Sequence, residues 1–207
     1  MNERLIALLL DSFPKILLPG LTMTIPLTVI SFSIAMVIAT AVALIQFAHV
    51  KVLSQIARFY IWVVRGTPLL VQVLIVFYGL PQMGVKLPRM TAGTVALVIN
   101  SAAYMAEIVR SGIQAIDGGQ TEASRSLGMN GAQTMIYIIL PQAIKNILPV
   151  IGNEFVSIIK ESSILYTIGI YELTYQANKL ASTNFRYLET LTISALIYFV
   201  LTFTASR

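Results

Sequence analysis

The chain is built from long apolar runs broken by short polar stretches. A bilayer core of roughly 30 Å needs about 20 apolar helical residues, and five segments meet or approach that length. They run from about Leu17 to Phe47, Ser54 to Met83, Met90 to Ile113, Ile147 to Ile170, and from Leu188 to the end of the chain. The first is long enough to tilt or bend at Pro19 and Pro26. The second carries R-G-T-P at Arg65 to Pro68, where a break is expected, so the part up to Val64 projects from the membrane and the apolar part starts near Leu69. The pattern predicts an all-α polytopic membrane protein of about five spans, read as one domain over residues 1–207 because no internal repeat or linker is visible. The N-terminal MNERLIALLLDSFPK has no small-residue cleavage pattern and reads as an interfacial helix rather than a leader.

Composition agrees. Of 207 residues 57% are hydrophobic and 11% charged, whereas a soluble domain carries about a quarter of its residues as charges. The net charge of +5 fits basic loops beside anionic lipid, and nucleic-acid binding is set aside. There is no cysteine, and the single histidine, His49, cannot build a metal centre. The cations divide almost evenly between the two faces, so the positive-inside rule favours one orientation only slightly.

One polar interruption is organised. In Glu122 to Gln142, EASRSLGMNGAQTMIYIILPQ, a helical stretch from about Gln120 to Leu127 follows Gly118 and Gly119, and Gly128 stands where a helix end wants positive φ. Asn130 with Gln133 three residues on is a capping-box variant that opens a second helix toward Leu140. Such a knob is too polar for the bilayer and too small to fold alone, so it must rest on the membrane helices or on another protein.

Glu122, Ala123, Gly128, Ile138, Leu140 and Pro141 resemble the E-A-A…G…I-x-L-P motif of permease subunits of ATP-binding-cassette importers, with Ser124 in place of the second alanine. The resemblance covers nearly the whole chain and is to the polar amino acid branch: RGTPLLVQ at Arg65 to Gln72, INSAAYMAEIVRSGI at Ile99 to Ile113, LPQAIKNILPVIGNEF at Leu140 to Phe155 and KESSI at Lys160 to Ile164. It implies a type I importer permease fold. It also implies that the loop at about 116–142 is a coupling helix docking on an ATPase, with Glu122, Ala123, Ser124, Gly128, Leu140 and Pro141 as the coupling residues. The implied location is the bacterial cytoplasmic (inner) membrane, N-terminus outside and C-terminus cytoplasmic. The implied partners are two ABC ATPase subunits, a second permease copy or a related one, and an extracytoplasmic amino acid-binding protein. No phosphate-cradling G-x-x-x-x-G-K-[ST] loop occurs in the chain. ATP and Mg are therefore expected on the partner ATPase, with no cofactor here.

Glu107, Glu154, Glu161 and Lys160 fall inside predicted spans, where each charge costs a few kcal/mol and usually faces a partner or a wet cavity. Asn100, Tyr104, Glu107 and Ser111 form one helical stripe, and Asn153, Ser157 and Lys160 another. Two such faces can enclose a pore. The rival reading is structural: Lys160 bridges to Glu107 or Glu154, and Asn153 and Ser157 only join helices. The expected substrate-contacting set is Glu107, Glu161, Asn100, Tyr104, Ser157, Ser163 and Gln72. Relatives that move basic amino acids line a small site with acids, so arginine, lysine or histidine is the leading substrate class. Neutral or acidic polar amino acids such as glutamine, glutamate or cystine are the alternative. A stand-alone secondary transporter would be expected to show inverted repeats or more spans, neither of which is visible, and an intramembrane enzyme lacks G-x-S-x-G and H-E-x-x-H.

Overall fold

The computed structural model describes residues 3–47 and 50–207, and among them all regular structure is helical. His49 and the Arg4 side chain lie outside the described residues. Four helical segments are long and apolar enough to cross a membrane: Leu9–Phe47, Arg89–Gln114, Gly131–Ile168 and Tyr187–Ala205. Lys51–Arg65 and Leu69–Gln82 reach that length and hydropathy only together, as a pair bent through 105° that forms either a broken span or a re-entrant loop.

The first span starts earlier than expected. Helix α1 (Glu3–Pro19) passes without a break through a π-helical turn, Gly20–Thr24, into α2 (Ile25–Phe47). Pro26 cannot donate and crowds the carbonyl before it. The chain answers with the wider turn, closed by Ile25 N–H to the Gly20 carbonyl. Ile16 of α1 is fully buried in a cluster with Leu173, Ala177, Ile193 and Ile197. Packing against later helices therefore decides its place.

Helix α3 (Lys51–Arg65) ends at Gly66, and Pro68, with φ −64° and ψ 137°, starts α4 (Leu69–Leu74) in a new direction. A π turn, Ile75–Gly79, leads to the short α5 (Leu80–Gln82). Helix α6 (Arg89–Gln114) is the central post, packed against α2, α3, α4 and α9. Its buried face carries Ala92, Gly93, Ala96, Ala102, Ala103 and Ala106, small residues that let neighbouring backbones approach without a hydrophobic drive from water. After α7 (Gly118–Ser126) and the single turn α8 (Gly131–Gln133), a π stretch Thr134–Ile139 runs directly into α9 (Leu140–Glu161) and the 3₁₀ stretch Ser162–Ile168. The span expected from Ile147 thus begins well before it.

Gly169 ends that span at φ 77°. A helix absent from the sequence reading follows, α10 (Leu173–Asn184), and then α11 (Tyr187–Ala205). Its N-cap, Glu172, is fully buried and accepts from the backbone of Thr174 (2.9 Å) and Tyr175 (2.6 Å) and from the Tyr198 hydroxyl (2.9 Å). One carboxylate therefore joins α10 to α11.

Candidate functional site

The polar knob between α6 and α9 is tightly specified. Asp117 caps α7 by accepting from Gly119 N–H, which places Gly118 and Gly119 in its first turn rather than at the end of the previous helix. At the other end Gly128 takes φ 84°, its N–H reaching the Arg125 carbonyl while Met129 N–H reaches that of Ser124. That pair of bonds is a Schellman motif, which the sequence position of Gly128 anticipates. Asn130 and Gln133 exchange side-chain-to-backbone bonds of 2.9 Å in both directions, the expected capping box. Ser124 is buried, and its hydroxyl lies 2.9 Å from that of Thr134, so the residue that departs from the motif pins α7 to the returning chain. Glu122, Ala123, Gly128, Leu140 and Pro141 stay exposed, and the tip adds Leu127, which is 83% exposed. An apolar side chain presented on a rigid, doubly capped turn suits docking in a pocket on another surface.

The expected pore stripe on α6 divides between two tasks. Asn100, 3% exposed, donates to Gln72 Oε1 at 3.0 Å. The Gln72 amide in turn donates to the carbonyls of Val64 (2.8 Å) and Thr67 (3.1 Å) and to the Thr67 hydroxyl (2.9 Å). These acceptors are carbonyls and a hydroxyl at the end of α3 that the break at Pro68 leaves without helical donors. Asn100 and Gln72 thus hold the 105° bend. Lower on the same stripe, Glu107 accepts from Arg110 Nε at 2.9 Å and forms a second, short bond with Arg110 Nη2, while Arg65 approaches to 3.9 Å. Arg65 also sits over the Tyr104 ring, 5.3 Å from its centroid. Tyr104 and Glu107 therefore face arginines around a cavity of about 610 Å³ at the end of α6 that leads into α7.

The acids of α9 have no such partners. Glu154 and Glu161 are seven residues apart, two turns on one helix face about 10 Å along the axis. Both are half-buried, and among the described residues neither forms an ion pair; Lys160, which the rival structural reading paired with Glu107 or Glu154, is exposed and unpaired as well. Glu161 Oε2 is shielded from solvent and makes no hydrogen bond. Ser157, half-buried, donates to the Asn153 carbonyl at 3.1 Å, and half-buried Ser163 stands two residues past Glu161. The facing helix is α2, where the Phe32 ring meets Phe155 edge-on at 5.1 Å. Its hydroxyls Thr28 and Ser31 are buried and likewise unpartnered. These two were missed in the sequence because isolated hydroxyls in an apolar run usually return a bond to their own helix.

The structure therefore places Ser157 and Glu161 one turn apart on one face of α9, while Ser163 lies on its 3₁₀ extension without a hydrogen bond to either among the described residues. It places Asn100 and Gln72 in a bend-holding network, and Tyr104 and Glu107 in a basic cavity. An unpaired carboxylate with one buried oxygen is a receptor for a positively charged or hydrogen-donating group.

Residues 33–207 match the family described as binding-protein-dependent transport system inner membrane component. The chain is 42% identical over 186 residues to an arginine transport system permease protein, ArtQ, of Bacillus subtilis (strain 168), covering 89% of this chain and 85% of that one. It is 37% identical over 201 residues to a probable glutamine ABC transporter permease protein, GlnM, of the same organism, covering 97% and 93%. A solved structure described as an amino acid ABC transporter with histidines superposes with a TM-score of 0.90 at 49% identity, over 95% of this chain and 92% of that one.

Proposed function

The chain belongs to the binding-protein-dependent transport system inner membrane component family, and from that premise we propose that it is the membrane-spanning permease subunit of an ATP-driven amino acid importer whose substrate carries a cationic side chain. It is a multi-pass membrane transporter component with the type I importer permease fold, not an enzyme. The observation that carries the substrate reading is the half-buried, unpaired carboxylate of Glu161. A guanidinium, ammonium or imidazolium group would supply the donors that Glu161 lacks. Ser157, on the same face of α9 as Glu161, and Ser163 on its extension would bind the polar remainder of the substrate. Asn100, Gln72, Tyr104 and Glu107 would act one step removed, shaping the bend and the exit that bound the site.

Two copies, or this chain with a related one, would sit over two ATPase subunits that hold ATP and Mg, and would receive the amino acid from an extracytoplasmic binding protein. The knob around α7 would dock on the ATPase, with Leu127 as the apolar anchor. It would lie in the cytoplasm, putting the N-terminus outside. ATP-driven closure would push on α7, and because α7 is continuous with α6 and α9 through capped turns, the push would reach the walls of the site.

The test is Glu161→Gln in the assembled transporter in proteoliposomes. Removing one partner of a desolvated charge pair costs on the order of 3 kcal/mol, so uptake of arginine or lysine should fall at least tenfold. Glutamine uptake, where present, should change far less, because the amide still offers hydrogen bonds. Equal losses for both substrates would assign Glu161 a structural role, and unchanged arginine uptake would replace the basic reading with a neutral polar one.

A further inference from the structure

Helix α3 divides its surface three ways. At 100° per residue, Lys51, Arg58 and Arg65 recur every seven positions along one line with Gln55 and Trp62 beside them. Ala57, Ile61 and Val64 form the buried face against the bundle. Val52, Ile56, Phe59 and Val63 form a third face, apolar and exposed. A helix with a basic stripe and an outward apolar face containing aromatics is the pattern of a segment at a membrane interface. The basic stripe borders the cavity described above, where Arg58, Arg65 and Arg110 confront the single carboxylate of Glu107. Contiguous spaces reach on past Gln46 and Ser54 to Lys51.

The donors around this cavity exceed its acceptors. Arg110 is committed to Glu107 and Gln114. Arg58 uses only Nε, on the Ser54 carbonyl at 3.3 Å, and its two terminal nitrogens have no partner among the described residues. Arg65 reaches Glu107 only at 3.9 Å. Gln46 Nε2 is buried and makes no hydrogen bond among the described residues. A buried amide donor and two arginines with spare N–H groups around a space of about 610 Å³ form a receptor for a phosphate-like anion. Trp62, 74% exposed, lines the same cavity, and an exposed tryptophan is a residue type enriched at membrane–water interfaces.

We propose that this cavity binds the phosphate of an anionic phospholipid, with Arg58, Arg65 and the Gln46 amide on the headgroup and the acyl chains along the Phe59 and Val63 face of α3. The leaflet is the one on the α7 side, a placement that rests on the permease reading. The bound lipid would brace α3 at the bend and thereby the end of α6 that feeds α7. Its binding can be measured without transport, so failure here leaves the permease assignment intact.

The experiment is native mass spectrometry of the purified full chain in neutral detergent, titrated with dioleoyl phosphatidylglycerol or dioleoyl phosphatidylcholine. Phosphatidylglycerol should be retained and phosphatidylcholine should not. Each basic residue near an anionic lipid surface contributes enough that Arg58→Gln should weaken retention about fivefold, with Arg58→Gln/Arg65→Gln weaker still. Gln46→Leu should weaken it too, without changing the charge. Equal retention of the two lipids by the wild-type chain would overturn the proposal, a comparison that needs no variant to fold. So would unchanged retention in a folded double variant. Inorganic phosphate that displaces phosphatidylglycerol and raises the thermal midpoint as far would assign the cavity to a soluble anion and overturn the lipid.

Discussion

Gly112, in the last turns of α6, tests the claim that α6 and α9 are held together by backbone proximity. A β-carbon built at Gly112 would lie 2.2 Å from Ile147 Cγ1 and 2.9 Å from Cδ1 on α9. Carbon atoms prefer about 3.5–4.0 Å, so Gly112→Ala forces either a local separation of more than an ångström or a rotamer change in Ile147. A β-branched residue in a helix has one strongly favoured χ1, which makes the second escape costly. Overpacking of this kind costs about 1–3 kcal/mol, and replacing a helical glycine by alanine returns about 0.5–1 kcal/mol. The expected net loss is about 0–2.5 kcal/mol by those two ranges, centred a little above 1. Ile147→Ala removes both clashing atoms and leaves Cβ at 3.6 Å, an ordinary contact. In that background Gly112→Ala should be neutral or stabilising, giving a double-mutant coupling of at least about 1 kcal/mol. The assay is unfolding in detergent for the wild type, both single variants and the double variant. Transport-stimulated ATPase activity of the assembled importer should follow the same order, because the end of α6 sets where α7 sits. Equal costs of Gly112→Ala in both backgrounds, or a stabilising effect in the wild type, would refute the close-packing argument.

Three further outcomes follow from the geometry. Gly128 has φ 84° and nothing within 4 Å of a built β-carbon, so Gly128→Val should fail through backbone strain of about 1–2 kcal/mol. Gly128→Asn, which tolerates that conformation, should retain most transport-stimulated ATPase activity; equal loss in both would put the fault elsewhere. Gln72→Leu leaves buried Asn100 and the end of α3 without their partner and should cost about 1–3 kcal/mol, visible as a lowered unfolding midpoint, whereas an unchanged midpoint would show that the bend holds without the amide. Asn130→Cys should react with an impermeant thiol reagent only from the cytoplasmic side and Lys86→Cys only from outside, the reverse pattern overturning the proposed orientation.

Local chemistry made much of this protein legible in one dimension. Apolar length alone located the membrane-crossing segments, and Gly66 with Pro68 marked the break in the second, because those residues change the backbone wherever they occur. The Gly128 turn and the Asn130–Gln133 capping box were readable for the same reason: each closes its hydrogen bonds within a few residues. Helix α10 escaped notice because it has no membrane-length apolar run, and its N-cap Glu172 is secured by Tyr198 from another helix. The polar stripe on α6 shows the wider limit. Periodicity put Asn100, Tyr104 and Glu107 on one face, but only the packed neighbours decided that Gln72 would take Asn100 and that Arg65 and Arg110 would take Tyr104 and Glu107. The same packing left Glu161 unpaired. Whether a buried polar group is satisfied depends on which helices meet it across space, a property of the assembled bundle rather than of any stretch of the chain.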